Sequence, residues 1–147
     1  MGKLTKSFQA VKNYFNLGFK TPEIAEKKLR AYTPLGLVSQ EGEADSILEV
    51  LKRGDDINEK DYDGNTALML AVKHGKMDAV RTLIDNKADL NIKDKHGYTA
   101  LRLATRYEQK EIAGLLIDKG ASLDGVIEEQ RIGQLEKTAR EAQVQPK

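Results

Sequence analysis

The 147-residue sequence has no cysteine and no tryptophan, and aromatic residues make up only 5% of it. Without cysteine there is no disulfide, no thiol nucleophile and no cysteine-ligated zinc or iron–sulfur centre. Histidine occurs twice, at His74 and His96, in different sequence surroundings and without a matched carboxylate set, so both are expected to be surface side chains. No apolar run approaches the ~18 residues needed to cross a bilayer. The stretch Met1-Gly2-Lys3-Leu4-Thr5-Lys6 lacks a continuous apolar segment, so a secretory leader is not expected and a cytoplasmic location is the default. Gly2 invites a myristoylation reading, but Lys6 stands where that motif takes Ser or Thr.

Catalytic signatures are missing as well. There is no Gly-x4-Gly-Lys-[Ser/Thr] phosphate loop and no Gly-x-Ser-x-Gly elbow, and the scattered serines adjoin no base. Asp61-Tyr62-Asp63-Gly64-Asn65 begins like a calcium loop, but its glycine comes two positions early and Val72 stands where the bidentate Glu belongs. Neither an enzyme, a metal site nor a cofactor is expected.

What the chain has in plenty is charge, at 32% of residues, with a formal net charge of only +1. The distribution is uneven. Residues 1–30 carry seven Lys/Arg against two Glu, residues 31–60 carry three Lys/Arg against seven Asp/Glu, and the remainder balances to zero. A basic head and an acidic neighbour do not make a broad nucleic-acid surface, and no nucleic-acid partner is expected.

The strongest signal is a period. Asp61-Tyr62-Asp63-Gly64-Asn65-Thr66-Ala67-Leu68 and Asp94-Lys95-His96-Gly97-Tyr98-Thr99-Ala100-Leu101 share a framework 33 residues apart, and residues 61–93 and 94–126 agree at 12 of 33 positions. A weaker copy aligns Thr33-Pro34-Leu35 with Thr66-Ala67-Leu68, and Gly42, Asp45, Ile47, Ile57 and Asn58 with Gly75, Asp78, Val80, Leu90 and Asn91. In these residues the chain resembles the ankyrin repeat family, whose Thr-Pro-Leu-His-x-Ala hallmark is partly kept. Gly36, Met69 and Arg102 replace the hallmark histidine, so its hydrogen bonds do not carry over. The resemblance implies an all-α solenoid: three repeats (28–60, 61–93, 94–126) spanning 28–126, an N-terminal helical cap over 1–27, and a C-terminal capping helix and tail over 127–147.

Each repeat reads locally as a turn and two helices. Gly64 and Gly97 suit a positive-φ turn, Thr33, Thr66 and Thr99 suit N-caps, and first helices are expected near 34–41, 67–74 and 100–107. Leu35/Leu37, Leu68/Leu70/Ala71 and Leu101/Leu103/Ala104 face inward. The second helices carry apolar stripes: Ile47, Val50 and Leu51; Val80, Leu83 and Ile84; Ile112, Leu115, Leu116 and Ile117. Gly54 and Gly120 fit the left-handed position past a helix end, whereas Lys87 and Glu108 stand where the register calls for glycine. Strain is expected there if the backbone is retained; the plainer reading is simple drift at tolerant turns.

Beyond the repeats, Leu4, Phe8, Val11 and Phe15 predict an amphipathic helix, followed by a second with Thr21 as N-cap and Pro22 at N1. Its phenylalanines are read as a cap over Ile47, Val50 and Leu51 in preference to a membrane or partner contact, although Lys3, Lys6, Lys12 and Lys20 lie among them. Ile132, Leu135, Ala139 and Ala142 share a face of the expected C-terminal helix.

The resemblance also implies where binding occurs: the turn tips and first helices, forming a concave groove. Mapped onto this sequence, the positions are Tyr62, Asp63, Asn65, Lys73 and His74, then Lys95, His96, Tyr98, Arg106 and Tyr107, with Arg30, Gln40 and Glu41 in the first repeat. Tyr62, Tyr98, Arg106 and Tyr107 stand out because Tyr and Arg are enriched in interface hot spots. The expected role is a non-catalytic module that binds another protein and is monomeric when free. Rival readings are a dedicated inhibitor or immunity-type protein of one enzyme or toxin, and a membrane-surface adaptor acting through the basic N-terminal helix. A further candidate surface is the acidic stretch Glu41, Glu43, Asp45, Glu49, Asp55 and Asp56.

Overall fold

The computed structural model describes residues 32–143. The two N-terminal helices expected from Leu4 to Leu29, and Arg30, lie outside these residues. Within them the chain forms helices and turns with no strand: α1 Pro34–Glu41, α2 Ala44–Lys52, α3 Ala67–Lys73, α4 Met77–Asp85, α5 Ala100–Arg106, α6 Lys110–Asp118 and α7 Val126–Gln143.

The first helix of each pair starts as its sequence dictates. Thr33, Thr66 and Thr99 have extended backbones, and their hydroxyls accept the N–H groups of Gly36 (3.0 Å), Met69 (3.4 Å) and Arg102 (3.3 Å). Each cap satisfies an N–H that the first helical turn leaves without a partner. Pro34 at N1 loses nothing by lacking an N–H there.

Helix ends repeat one device, in which a left-handed C′ residue lets the next N–H reach back to the helix. After α3, Gly75 (φ 65) donates to the Val72 carbonyl and Lys76 to Ala71 at 2.9 Å. Glu108 (φ 56) and Lys87 (φ 68) hold the same conformation without glycine: Gln109 donates to Ala104 at 2.8 Å and Ala88 to Leu83 at 3.0 Å. The backbone has not drifted to suit these side chains. Each reach-back hydrogen bond matches the one at the corresponding glycine, Lys76 to Ala71 and Ala121 to Leu116, both at 2.9 Å, and is kept at a left-handed penalty of about 1–2 kcal/mol. Gly54 and Gly120 are left-handed as expected, at φ 91 and 89.

Helices α1, α3 and α5 stack side by side in that order, with α2 and α4 packed behind them and α6 against α5. Leu35, Leu68 and Leu101 fall in register between them and join Ile47, Val80, Leu83, Ile112 and Leu116 in one buried cluster. Small residues let the layers approach closely. A Cβ on Gly36 would lie 2.8 Å from Leu70 Cδ1, so its place in the hallmark-histidine position is occupied by the neighbouring helix. At the equivalent position Met69 is 1% exposed and fills core volume instead.

Two apolar expectations are corrected at the C-terminal end. Ile117 is exposed, although its register partner Ile84 is packed against the core, because no following helix pair covers it among the described residues. Helix α7 enters the core only through Val126; Ile132 and Leu135 are 48% and 63% exposed and Ala139 and Ala142 are exposed too. The shared face of these four residues does not close over α5 and α6, since contact is confined to the start of the helix.

Candidate functional site

The turn tips are built by Asp61 and Asp94. Asp61 Oδ1 accepts the N–H groups of Asp63 (2.9 Å) and Asn65 (2.8 Å), while Asp94 Oδ1 accepts those of His96 (2.8 Å) and Tyr98 (2.9 Å). Both tips close through a second pair, Asp61 N–H to the Asn65 carbonyl at 2.9 Å and Asp94 N–H to that of Tyr98 at 3.0 Å. The two aspartates are buried and committed to backbone donors, so they hold the loop shape instead of meeting a partner.

Adjacent tips touch directly. Lys95 N–H donates to the Asp63 carbonyl at 3.3 Å, and Lys60 Nζ reaches the Lys93 carbonyl at 3.1 Å. Gly64 is required for that approach, since a Cβ there would sit 2.8 Å from the Lys95 nitrogen.

On this frame, aromatic and cationic side chains are interleaved. Lys95 Nζ lies 3.9 Å from the Tyr62 ring centroid. The Tyr98 ring carries Arg102 at 4.3 Å and Arg106 at 5.4 Å, Arg106 Nη1 donates to the Tyr98 hydroxyl at 3.3 Å, and His96 tilts against the same ring at 6.2 Å. One repeat earlier the same register pair is Lys73 and Asn65, with Lys73 Nζ donating to Asn65 Oδ1 at 2.7 Å. His74 Nδ1 faces the Leu70 carbonyl at 2.9 Å.

The structure therefore sorts the ten nominated residues. Tyr62, Asp63, His74, Lys95, His96, Arg106 and Tyr107 are exposed. Lys73 and Tyr98 are half-buried, and Tyr98 packs against the core, so its removal is not the purely surface change its turn position suggests. Asn65 is only 4% exposed: its amide N–H donates to Asp61 Oδ2 at 3.3 Å and its carbonyl holds Lys73, so it positions a cation and offers no contact surface itself. Gln40 is half-buried and Glu41 exposed at the end of α1. Burial, with the Glu43 carboxylate adding to it, pushes the Glu41 carboxyl above its ordinary value.

Sequence reasoning missed Arg102, Lys60 and Lys93. The lysines repeat with the 33-residue period, one residue before each tip aspartate, and that recurrence was the available signal. Arg102 occupies the hallmark-histidine position, where it is half-buried and stacks on the Tyr98 ring.

The family described as ankyrin repeats (3 copies) matches residues 31–125, well over half of the chain. The chain belongs to the ankyrin repeat family. No curated protein matches it at a significant level. Ankyrin repeats are in general protein–protein interaction modules, and the family is typically a non-enzymatic scaffold. Among the described residues of this ankyrin protein, no group of three or more His, Asp or Glu is placed to hold a metal ion, and no helix is long and apolar enough to cross a membrane. A depression of about 360 Å³ lies behind the repeats, lined by Ile84, Asp85, Lys87, Ala88, Leu90 and Lys119, and includes none of the turn-tip residues.

Proposed function

We propose that this ankyrin protein is a non-catalytic binding module that takes one protein partner on the face formed by its turn tips and first helices. The observation that carries the reading is the stacking of Lys95 on Tyr62 and of Arg106 on Tyr98, on a backbone already fixed by Asp61 and Asp94, with Tyr107 exposed at the end of α5. Tyrosine and arginine give large contact areas, and loops that are rigid before binding lose little entropy when a partner arrives. The second helices offer no comparable grouping of aromatic residues.

The test is site-specific photo-crosslinking in extracts of the native source. A crosslinking side chain at Tyr62 or Tyr107 is expected to capture a discrete protein partner, whereas one at Arg81 or Asp118, exposed on the second helices, is expected to capture none. Capture only from the second-helix positions contradicts the proposal.

A further inference from the structure

We infer that the partner segment taken by this face is acidic, and that its carboxylates are set against Lys73 and Lys95. The inference rests on the binding role proposed above and names the chemistry of the partner. Its starting point is how those two cations are held. Lys73 Nζ is anchored by the uncharged Asn65 amide at 2.7 Å, and Lys95 Nζ by the Tyr62 ring at 3.9 Å. By contrast, the Arg53–Asp55 ion pair, at 3.6 Å, lies at the end of α2 and away from this face. A carboxylate neighbour would both fix and neutralise a lysine. A neutral anchor fixes the ammonium and leaves its charge to act outward.

The surrounding charges reinforce this. Lys60 and Lys93 recur beside the tips, while Asp61 and Asp94 are buried with their carboxylates engaged by backbone N–H groups. Exposed carboxylates at the tips are confined to Glu59 and Asp63. In the first repeat Gln40 and Glu41 take the register positions of Lys73 and His74, so the face changes sign there. An acidic segment therefore lies across the second and third repeats and stops short of Glu41. Tyr62 and Tyr107, 75% and 49% exposed, add apolar area, so the segment carries an apolar residue among its acids. A nucleic acid would meet the same lysines through phosphate, but the balanced charge of these two repeats and Asp63 at the tip oppose a polyanion backbone.

A random-peptide phage library selected on the full chain tests the inference, followed by fluorescence anisotropy of the synthesised winners. The enriched peptides are expected to carry an excess of Asp and Glu. Their affinity is expected to fall with added salt, and to drop at least tenfold, about 1.4 kcal/mol, in the Lys73→Gln/Lys95→Gln double variant. Glutamine keeps a donor for Asn65, so the melting temperature is expected to stay unchanged. Peptides that are lost on Tyr62→Ala/Tyr107→Ala, yet are not acidic and ignore the lysine variant, overturn the acidic partner and leave the binding face standing. Peptides indifferent to both double variants overturn both ideas. An empty selection, or a single-stranded oligonucleotide that binds more tightly than every selected peptide and is lost in the lysine variant, overturns the inference as well.

Discussion

The Asn58 side-chain carbonyl accepts the backbone N–H of Asp89 at 2.8 Å, and 33 residues on Asn91 does the same for Ser122, also at 2.8 Å. These staples tie the loop after one second helix to the loop after the next, so each unit fixes the register of its successor. Asn58→Ala is expected to cost about 1 kcal/mol, the ordinary worth of such a hydrogen bond. Asn91→Ala is expected to cost as much. The two sites are linked through Asp89, whose N–H is held by Asn58 and whose Oδ1 accepts the Asn91 N–H at 2.9 Å, so the double variant is expected to depart from simple addition. Urea melts of the single and double variants measure these numbers; single losses near zero contradict the staples, and strict additivity contradicts the link through Asp89.

Leu68 is buried between α1, α3 and α5, and Leu68→Ala is expected to cost roughly 2–5 kcal/mol. Thin stacks have little core to spare, because each unit buries apolar surface only against its neighbours. A loss under about 0.5 kcal/mol in denaturant melts contradicts the repeat register, since a surface leucine would behave that way.

Lys87 and Glu108 hold left-handed conformations that glycine adopts at no steric cost. Lys87→Gly and Glu108→Gly are each expected to stabilise the fold by up to ~1 kcal/mol, the relief of strain exceeding the extra freedom given to the unfolded chain. Lys119→Gly is the control. Its φ of −89 is ordinary, so glycine there is expected to destabilise slightly. Thermal melts distinguish the two signs.

Glu41 titrates above its ordinary value in the folded protein because of burial and then Glu43. The folded state thus binds the proton more tightly than the unfolded chain, and stability from this group is lost as pH rises through its folded-state value. Glu41→Gln, which cannot ionise, is expected to gain stability relative to the native protein as pH is raised across that window and to show no gain below it. The difference is small because the side chain is largely solvated. An advantage that grows toward acid pH has the wrong sign.

Much of this was legible in the sequence because periodicity reports what every unit must do. The threonine caps, the tip glycines and the leucines between the first helices recur at identical offsets, and each has a local physical reason. The side chains that depart from expectation owe their positions to neighbours in space. Asn65 is drawn inward by Asp61 and Lys73, Tyr98 is covered by two arginines, and Ile117 loses the neighbour that Ile84 has. The staples at Asn58 and Asn91 were visible as a recurrence, yet their partners lie in the next unit and no local pattern names them.

Binding affinity tests the central claim most directly. Tyr62, Arg106 and Tyr107 are exposed and carry no core packing, which the half-buried Tyr98 does, so the triple variant Tyr62→Ala/Arg106→Ala/Tyr107→Ala isolates the face from the fold. Against the protein captured by crosslinking at Tyr62, calorimetric titration is expected to show at least a tenfold loss of affinity, about 1.4 kcal/mol, with the helical circular-dichroism signal and melting temperature nearly unchanged. A folded triple variant that binds this partner with native affinity contradicts the account.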